Sequence, residues 1–433
     1  MKWILTLCLS LLSTLPLRAE IAIQEVTSPG GISAWLVEDH KIPFVALELR
    51  FRGGTSLDVA GQRGAINLMV GLLEEGTGDL DARGFATARD ELAASFNYSA
   101  YDDAISVSAR FLTETQDAAM ALLKGSLVAP SFTDVALNRV RAQVLAGLKS
   151  DSKDPDSIVS QRFDALAFGD HPYGSRAEGT IDSVSALTQD QIRAAHLGTL
   201  VRDRVYASAV GDITAEQLTT LLDSLLSDLP QSGRPMPSRV AYELDGGTTV
   251  VDFDTPQSVA IFAQRGIERD HPDFFAAYLV NQILGGGSFE SRLMEEVREK
   301  RGLTYGVSSY LLPKDFSHLY IGRVASANDR IAEAVSVIRA EWTRMADRGV
   351  TQDELRRAKT YLTGSYPLRF DGNGPIANIM VGMQMQGLPV AYINNRNDKI
   401  NAVTLQDANR VARELLDPAG LHFVVVGRPE GLE

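Results

Sequence analysis

Apolar and polar residues alternate in short runs along this chain, clearest at residues 44–51 and 105–111. A period of two predicts strands with one buried face. Longer segments with helical periodicity lie beside them, at residues 115–128 and 329–346. The strands come in groups and do not alternate strictly with helices. That order predicts an α+β fold in which helices cover one face of a largely antiparallel sheet. One segment breaks the amphipathic rule: Ala65, Ile66, Leu68, Met69, Val70, Leu72 and Leu73 leave almost no polar face, which predicts a buried helix over residues 64–74.

The pattern occurs twice. A strand at 104–111 and a helix at 115–128 have counterparts at 318–325 and 329–346. A helix opening at Thr133 and running to Gly147 has a counterpart from Thr351 to Gly364, and the strand end Val210-Gly211 recurs as Val426-Gly427, 216 positions later. Anchors at nearly constant offset imply an internal duplication. Between the copies lies a Pro-, Gly- and Ser-rich stretch at residues 229–238, the natural boundary. The expected organisation is a leader at 1–19, an N-terminal domain at 20–228, a linker at 229–244 and a C-terminal domain at 245–433. The two homologous domains would form a clam-like half-chamber.

Composition narrows the function classes. The 433 residues carry a formal charge of −13, which argues against nucleic acid or anionic membrane as a partner. Lys2, the apolar stretch at 3–17 and Leu17-Arg18-Ala19 before Glu20 predict a cleaved signal peptide, and so export to a bacterial periplasm. Cys8 is the only cysteine and lies in that leader, so the mature chain would have no disulfide and no thiolate metal site. Six scattered histidines show no ligand spacing, and no metal is expected in this chain.

Two stretches carry a resemblance. Residues 64–77, with Gly64 at one end and Gly76-Thr77 at the other, resemble the zinc-binding helix of the pitrilysin/insulinase metallopeptidases, roughly G-x-A-H-x-x-E-H-x-x-x-x-G-T. The positions for His, Glu and His hold Asn67, Val70 and Gly71. The third zinc ligand of the family, a Glu 76 residues beyond the second His, would fall on Gly147. In that motif two His at i and i+4 grip one zinc and the Glu polarises its water. Here the resemblance implies a pseudo-enzyme that hydrolyses nothing alone.

Residues 283–307 are similar to the L-G-G-G-x-x-S-R-L-x-x-x-[LV]-R-x-x-x-G-L-x-Y stretch of the family's second domains. The resemblance implies that Arg298 and Tyr305, seven residues apart, are the substrate-contacting pair. Arg298 would sit near a helix end closed by Gly302, with Tyr305 on the following strand. A guanidinium and a phenol can both donate to a peptide's carbonyl oxygens. On residue types alone, residues 295–301 read as a solvated charged face and Tyr305 as a half-buried strand residue. Gly285, Gly286 and Gly287 lack the Gly-Lys-Ser/Thr of a phosphate loop; the resemblance implies at most a substrate loop. His171-Pro172-Tyr173-Gly174 matches a turn common in the family and reads as a buried turn. The sequon Asn97-Tyr98-Ser99 has no weight in a bacterial periplasm.

Together these imply the non-catalytic subunit of a two-chain periplasmic peptidase. A homologous partner would supply the H-x-x-E-H helix and its zinc, and this chain would help bind the peptide. The alternative is a peptide-binding or scaffold protein of the same fold that serves no protease.

Overall fold

A computed structural model describes residues 22–286 and 290–432. The leader at 1–19 and Gly287 therefore lie outside the described residues. The fold is the expected mixed α+β one, with a six-stranded and a five-stranded sheet. In the first, the strands run in the spatial order Gln24–Thr27, Ser33–Glu38, Val205–Gly211, Phe44–Arg52, Ala104–Leu112, Ser95–Ala100. In the second the order is Thr248–Asp252, His422–Gly427, Gln257–Arg265, His318–Ala327, Val307–Pro313. The orders match strand for strand once the extra Gln24–Thr27 edge is set aside. In each sheet one pair is parallel, Ser33–Glu38 with Val205–Gly211 and Thr248–Asp252 with His422–Gly427. The duplication read from the sequence is a duplication of topology.

Gly211 and Gly427 show why the repeat keeps its register. Both have positive φ, 139° and 147°, at the end of the parallel pair. A Cβ on Gly211 would collide with the Phe44 carbonyl oxygen, and one on Gly427 would sit 2.9 Å from Ser258 Cα. Each half thus requires a residue with no side chain at the same place.

The central strands are buried on both faces. In Phe44–Arg52, Val45, Leu47, Leu49 and Phe51 enter a core with Leu68, Met69, Leu123 and Leu222. Ala46, on the opposite face, joins Trp35 and Val210 under Ala377 and Met380 of the helix Asn373–Met385. In Gln257–Arg265, Ala260 and Phe262 face the second half's own helices. Val259, Ile261 and Ala263 pack instead on Val159, Phe163 and Ala167 of the helix Pro155–Phe168. Each half therefore lends one helix to the outer face of the other half's sheet. Burying side chains such as Phe163 and Met380 contributes about 1.5–3 kcal/mol apiece.

Residues 229–244 are held closely along this junction. Leu229 and Tyr242 are buried, and the Arg234 guanidinium donates to Leu57 O at 3.1 Å. Val240 N donates to Phe316 O at 2.9 Å, and Glu243 N donates to Ala167 O at 3.0 Å.

Equivalent hairpin turns of the two sheets also interlock. Asp102-Asp103 joins two strands of the first sheet, and Lys314-Asp315, 212 positions on, joins the matching strands of the second. Lys314 Nζ lies 2.5 Å from Asp102 Oδ2, and Asp315 N donates to Asp103 Oδ2 at 3.1 Å. The buried Tyr173 completes the junction: its hydroxyl donates to Asp103 and accepts from Phe316 N at 3.2 Å, and Lys314 Nζ sits 3.7 Å above its ring. His171-Pro172-Tyr173-Gly174 is thus a buried turn that ties the halves together.

Candidate functional site

The degenerate zinc helix, Ala65–Gly71, begins at Gly64, whose φ is 93°. A Cβ on Gly64 would strike the Glu178 carbonyl, and one on Gly76, φ 139°, the Leu80 carbonyl. The buried Asp58 side chain caps the helix, accepting from Gly64 N at 2.8 Å and Ile66 N at 3.0 Å. The frame of the motif therefore has structural work to do regardless of chemistry. The four catalytic positions do not. Asn67 is half-buried, Val70 is 5% exposed within the core, and Gly71 and Gly147 face solvent with no donor atom. Glu74 and Glu75, just beyond the helix, are engaged by Arg89 and Arg139. No group of three metal-ligating side chains occurs among the described residues. The residues present do not fit a zinc ion.

The second stretch is built differently. Leu293, Met294 and Val297 bury one side of a short helix, Met294–Glu299, that is wound as a π-turn. Its signature is Lys300 N donating to Glu295 O at 2.9 Å, a spacing of five residues. Gly302, φ 60°, ends it by donating to Arg298 O at 2.7 Å. This winding sorts the run of charges at 295–301. Glu296 turns inward and is buried, held at 2.7 Å by both Lys300 and Arg301, which push its carboxyl below the usual range. Arg292 is also buried and clamps Glu354 through two bonds of 2.7 and 2.9 Å while donating to Gly349 O. The run is not one solvated face: Arg292 and Glu296 hold the helix in place, and Arg298 turns outward.

Tyr305 does not stand on the strand. It lies in the turn before Val307–Pro313 and is 91% exposed, which also rules out a half-buried strand position. The turn is braced on both sides of it, since Thr304 Oγ1 donates to Ala325 O at 2.7 Å and accepts from Gly306 N at 3.1 Å. Arg298 and Tyr305 line one open cavity of about 580 Å³, together with Gln257, Glu299, Thr304 and Arg330. Arg330 bridges the Arg301 and Gly302 carbonyls at 2.8 and 3.0 Å, tying the far wall to the helix end. Two hydrogen-bond donors of fixed backbone position thus border a cavity large enough for a short extended peptide.

The glycine run is elsewhere. Gly285 is buried at the end of the helix Phe274–Gly285, where a Cβ would collide with Ser309 Oγ. A Cβ on Gly286 would lie 2.7 Å from Gln282 Cα. Both serve close packing, and neither lines the Arg298–Tyr305 cavity.

Sequence reasoning missed two polar groupings. One is the turn-to-turn junction of Asp102, Asp103, Lys314 and Asp315; its signal was the shared offset of 212 between two charged dipeptides. Near it, burial pushes Asp164 up to about 7 against the opposing pull of Lys314. The other is a set of arginines, Arg269, Arg369 and Arg396, spread over 127 positions with no spacing that would flag them.

Comparison with known proteins agrees with this picture. Residues 34–181 match the model of the insulinase family (peptidase family M16), and residues 186–362 match that of the peptidase M16 inactive domain. The chain is 27% identical over 426 residues to a Helicobacter pylori protein named non-peptidase homolog YmxG, covering 98% of each. It is 25% identical over 405 residues to a Streptomyces coelicolor protein named as an uncharacterized zinc protease, covering 91% and 87%. Among solved structures, a peptidase M16 inactive domain from Pseudomonas fluorescens superposes with a TM-score of 0.89 at 28% identity, over 95% of this chain and 100% of that one. A Helicobacter pylori protease shares the fold at 17% identity, with a TM-score of 0.85 over 94% and 100%.

Proposed function

Because the chain belongs to the insulinase (M16) peptidase family and is an inactive member of it, we propose that it is the substrate-binding, non-catalytic subunit of a heteromeric zinc peptidase acting on peptides in the bacterial periplasm. The observation that carries this reading is the pairing of Arg298 with the 91%-exposed Tyr305 around one open cavity, in a chain whose zinc positions are Asn67, Val70, Gly71 and Gly147. A phenol exposed to that degree, on a turn braced by Thr304, is positioned for a ligand and adds little to the core. Arg298 and Tyr305 donate hydrogen bonds to carbonyl oxygens of an extended peptide. The phenol also suits an oxyanion developing at a carbonyl under attack elsewhere. Zinc and its general base belong to a homologous partner chain with an intact H-x-x-E-H helix. Export rests on Lys2 and the apolar stretch at 3–17; no helix among the described residues is long and apolar enough to cross a membrane.

The test is gentle extraction of the periplasm with a C-terminal tag on this chain, followed by identification of what elutes in stoichiometric amount. An H-x-x-E-H chain of similar length supports the subunit reading. Recovery of a lone chain or a self-dimer sinks it and leaves the peptide-binding scaffold. In the assembled complex, Tyr305→Phe lowers peptide turnover about 10- to 100-fold without dissociating the chains. Unchanged turnover removes Tyr305 from the mechanism.

A further inference from the structure

Away from the cavity of Arg298 and Tyr305, three arginines converge on a second one. Arg269 follows the strand Gln257–Arg265, Arg369 ends the turn Pro367–Arg369, and Arg396 lies on the helix Tyr392–Ala402. With Phe274, Tyr366 and Tyr392 they line a cavity of about 300 Å³ whose remaining wall is largely apolar. No aspartate or glutamate lines it, although the chain holds 55 acidic against 42 basic residues. Among the described residues, no carboxylate lies within ion-pair distance of any of the three guanidiniums.

The arginines are positioned by aromatic faces and polar groups. The Arg269 guanidinium lies 4.2 Å from the Phe274 ring centre and 5.3 Å from that of Tyr392, and donates to the Tyr392 hydroxyl at 2.7 Å. That of Arg396 lies 4.2 Å from the Tyr366 ring centre and donates to Leu362 O at 3.2 Å and Asn397 Oδ1 at 3.1 Å. Arg396 is only 5% exposed, a position that charged residues rarely take without a counter-charge. Burial pushes the Tyr366 hydroxyl up to about 12, and Arg396, Arg369 and Arg269 each pull against it. A guanidinium stacked on a ring engages its flat face and keeps its in-plane N–H edge, the edge that pairs with a carboxylate in two parallel bonds. The adjoining walls, Phe274 and Tyr392 among them, offer flat apolar surface, and beside the tyrosine hydroxyls only Asn378 and Gln386 add polar side chains.

The geometry points to a binding site for a carboxylate attached to a flat apolar group, either a free aromatic acid or the aromatic C-terminal residue of a peptide. Arg269, Arg369 and Arg396 hold the carboxylate, and the aromatic wall receives the ring. The site stands apart from the Arg298–Tyr305 reading and survives its failure.

Isothermal titration of the full chain tests it with four probes: benzoate, N-acetylphenylalanine, N-acetylphenylalanine amide and inorganic phosphate. The expected result is binding of both acids, with the amide at least tenfold weaker because it lacks the charge. Arg369→Gln, at an exposed position, weakens the acids about tenfold while the thermal midpoint without ligand stays put, and Arg269→Gln weakens them by a similar factor. N-acetylphenylalanine binding more tightly than benzoate assigns the peptide terminus, and the reverse order assigns the free acid. The site is overturned if the amide matches its acid, if phosphate outcompetes both acids, if neither acid binds at millimolar concentration, or if both glutamine variants bind as the parent does.

Discussion

The segments at 64–77 and 283–307 both preserve a family frame, but for different reasons. In the first, a side chain at Gly64 or Gly76 would collide with a carbonyl, and Asp58 caps the helix. The positions that carry the zinc chemistry in the family motif hold Asn67, Val70 and Gly71 here, and Val70 is part of the core. In the second, the frame is an internal ionic scaffold, Arg292 with Glu354 and Glu296 with Lys300 and Arg301. That scaffold turns Arg298 and Tyr305 toward an open cavity. Backbone demands alone explain what remains of one segment. They do not explain why the other keeps a tyrosine almost wholly in solvent.

Restoring the lost glutamate is the strongest way to probe that contrast. Val70→Glu places a carboxylate without a partner in a packed core and should destabilise the chain by about 4 kcal/mol in urea unfolding. Gly147→Glu, which has no heavy atom within 4 Å of its added Cβ, should change stability by less than about 0.5 kcal/mol. A tolerated Val70→Glu would mean that the first segment can still accommodate chemistry.

Breaking the scaffold of the second segment comes next. Arg292→Met empties a buried cation site and leaves the half-buried Glu354 without its clamp, which should cost about 3 kcal/mol. The same pair predicts a pH dependence. Burial raises the Glu354 pKa, but the bonds from Arg292 and Thr351 outweigh it and hold the carboxyl at about 2, below its ordinary 4.5. A depressed carboxylate stabilises the fold above pH 4.5 and loses that contribution as pH falls toward 2. Acid unfolding of the parent should therefore include a loss of about 2 kcal/mol over this window that Glu354→Gln lacks.

A smaller effect of opposite sign belongs to Asp164. Its pKa is raised from 3.8 to about 7, so the unfolded chain gives up its proton first and stability declines between those values as pH rises. Asp164→Asn should add on the order of 1–2 kcal/mol at pH 8 and nothing below pH 3.8, measured by thermal or urea unfolding at both. The smallest effect sharpens the comparison most. Tyr305→Phe and Arg298→Gln should each shift the unfolding free energy by under about 0.5 kcal/mol, because neither side chain is part of the packed interior. A loss above 2 kcal/mol from either would make the second segment as purely structural as the first.

Much of this was legible in the chain. The alternation at 44–51 and 105–111 encodes strands, since side chains of a strand point to opposite faces by geometry alone. The repeated Val-Gly strand ends encode the duplication because a backbone collision forces them. The crossing of helices was not legible. Val159, Phe163 and Ala167 form an apolar stripe on Pro155–Phe168, but a stripe states only that a face is buried and not which sheet buries it. Glu296 looked like surface charge because its burial depends on a π-turn, and the buried Arg292 was not singled out because its partners Gly349 and Glu354 lie more than 50 positions away. The exposure of Tyr305 depended on where the next strand began, and boundaries are the least certain part of a periodic pattern.

The exchange of helices has a consequence for how the chain comes off the ribosome. Every strand of the first sheet has been synthesised once Gly211 emerges, yet the face formed by Trp35, Ala46 and Val210 has nothing to cover it. Its cover comes with Ala377, whose carbonyl accepts from Ser208 across 169 positions of sequence. For that interval an apolar surface waits in the open until the helix that covers it has been made. Holdase binding should therefore be strongest on truncated chains ending between 211 and 372, and should fall once 373–385 is included. The molecule repeats one topology twice, and the outer face of each sheet is covered only by a helix of the other copy.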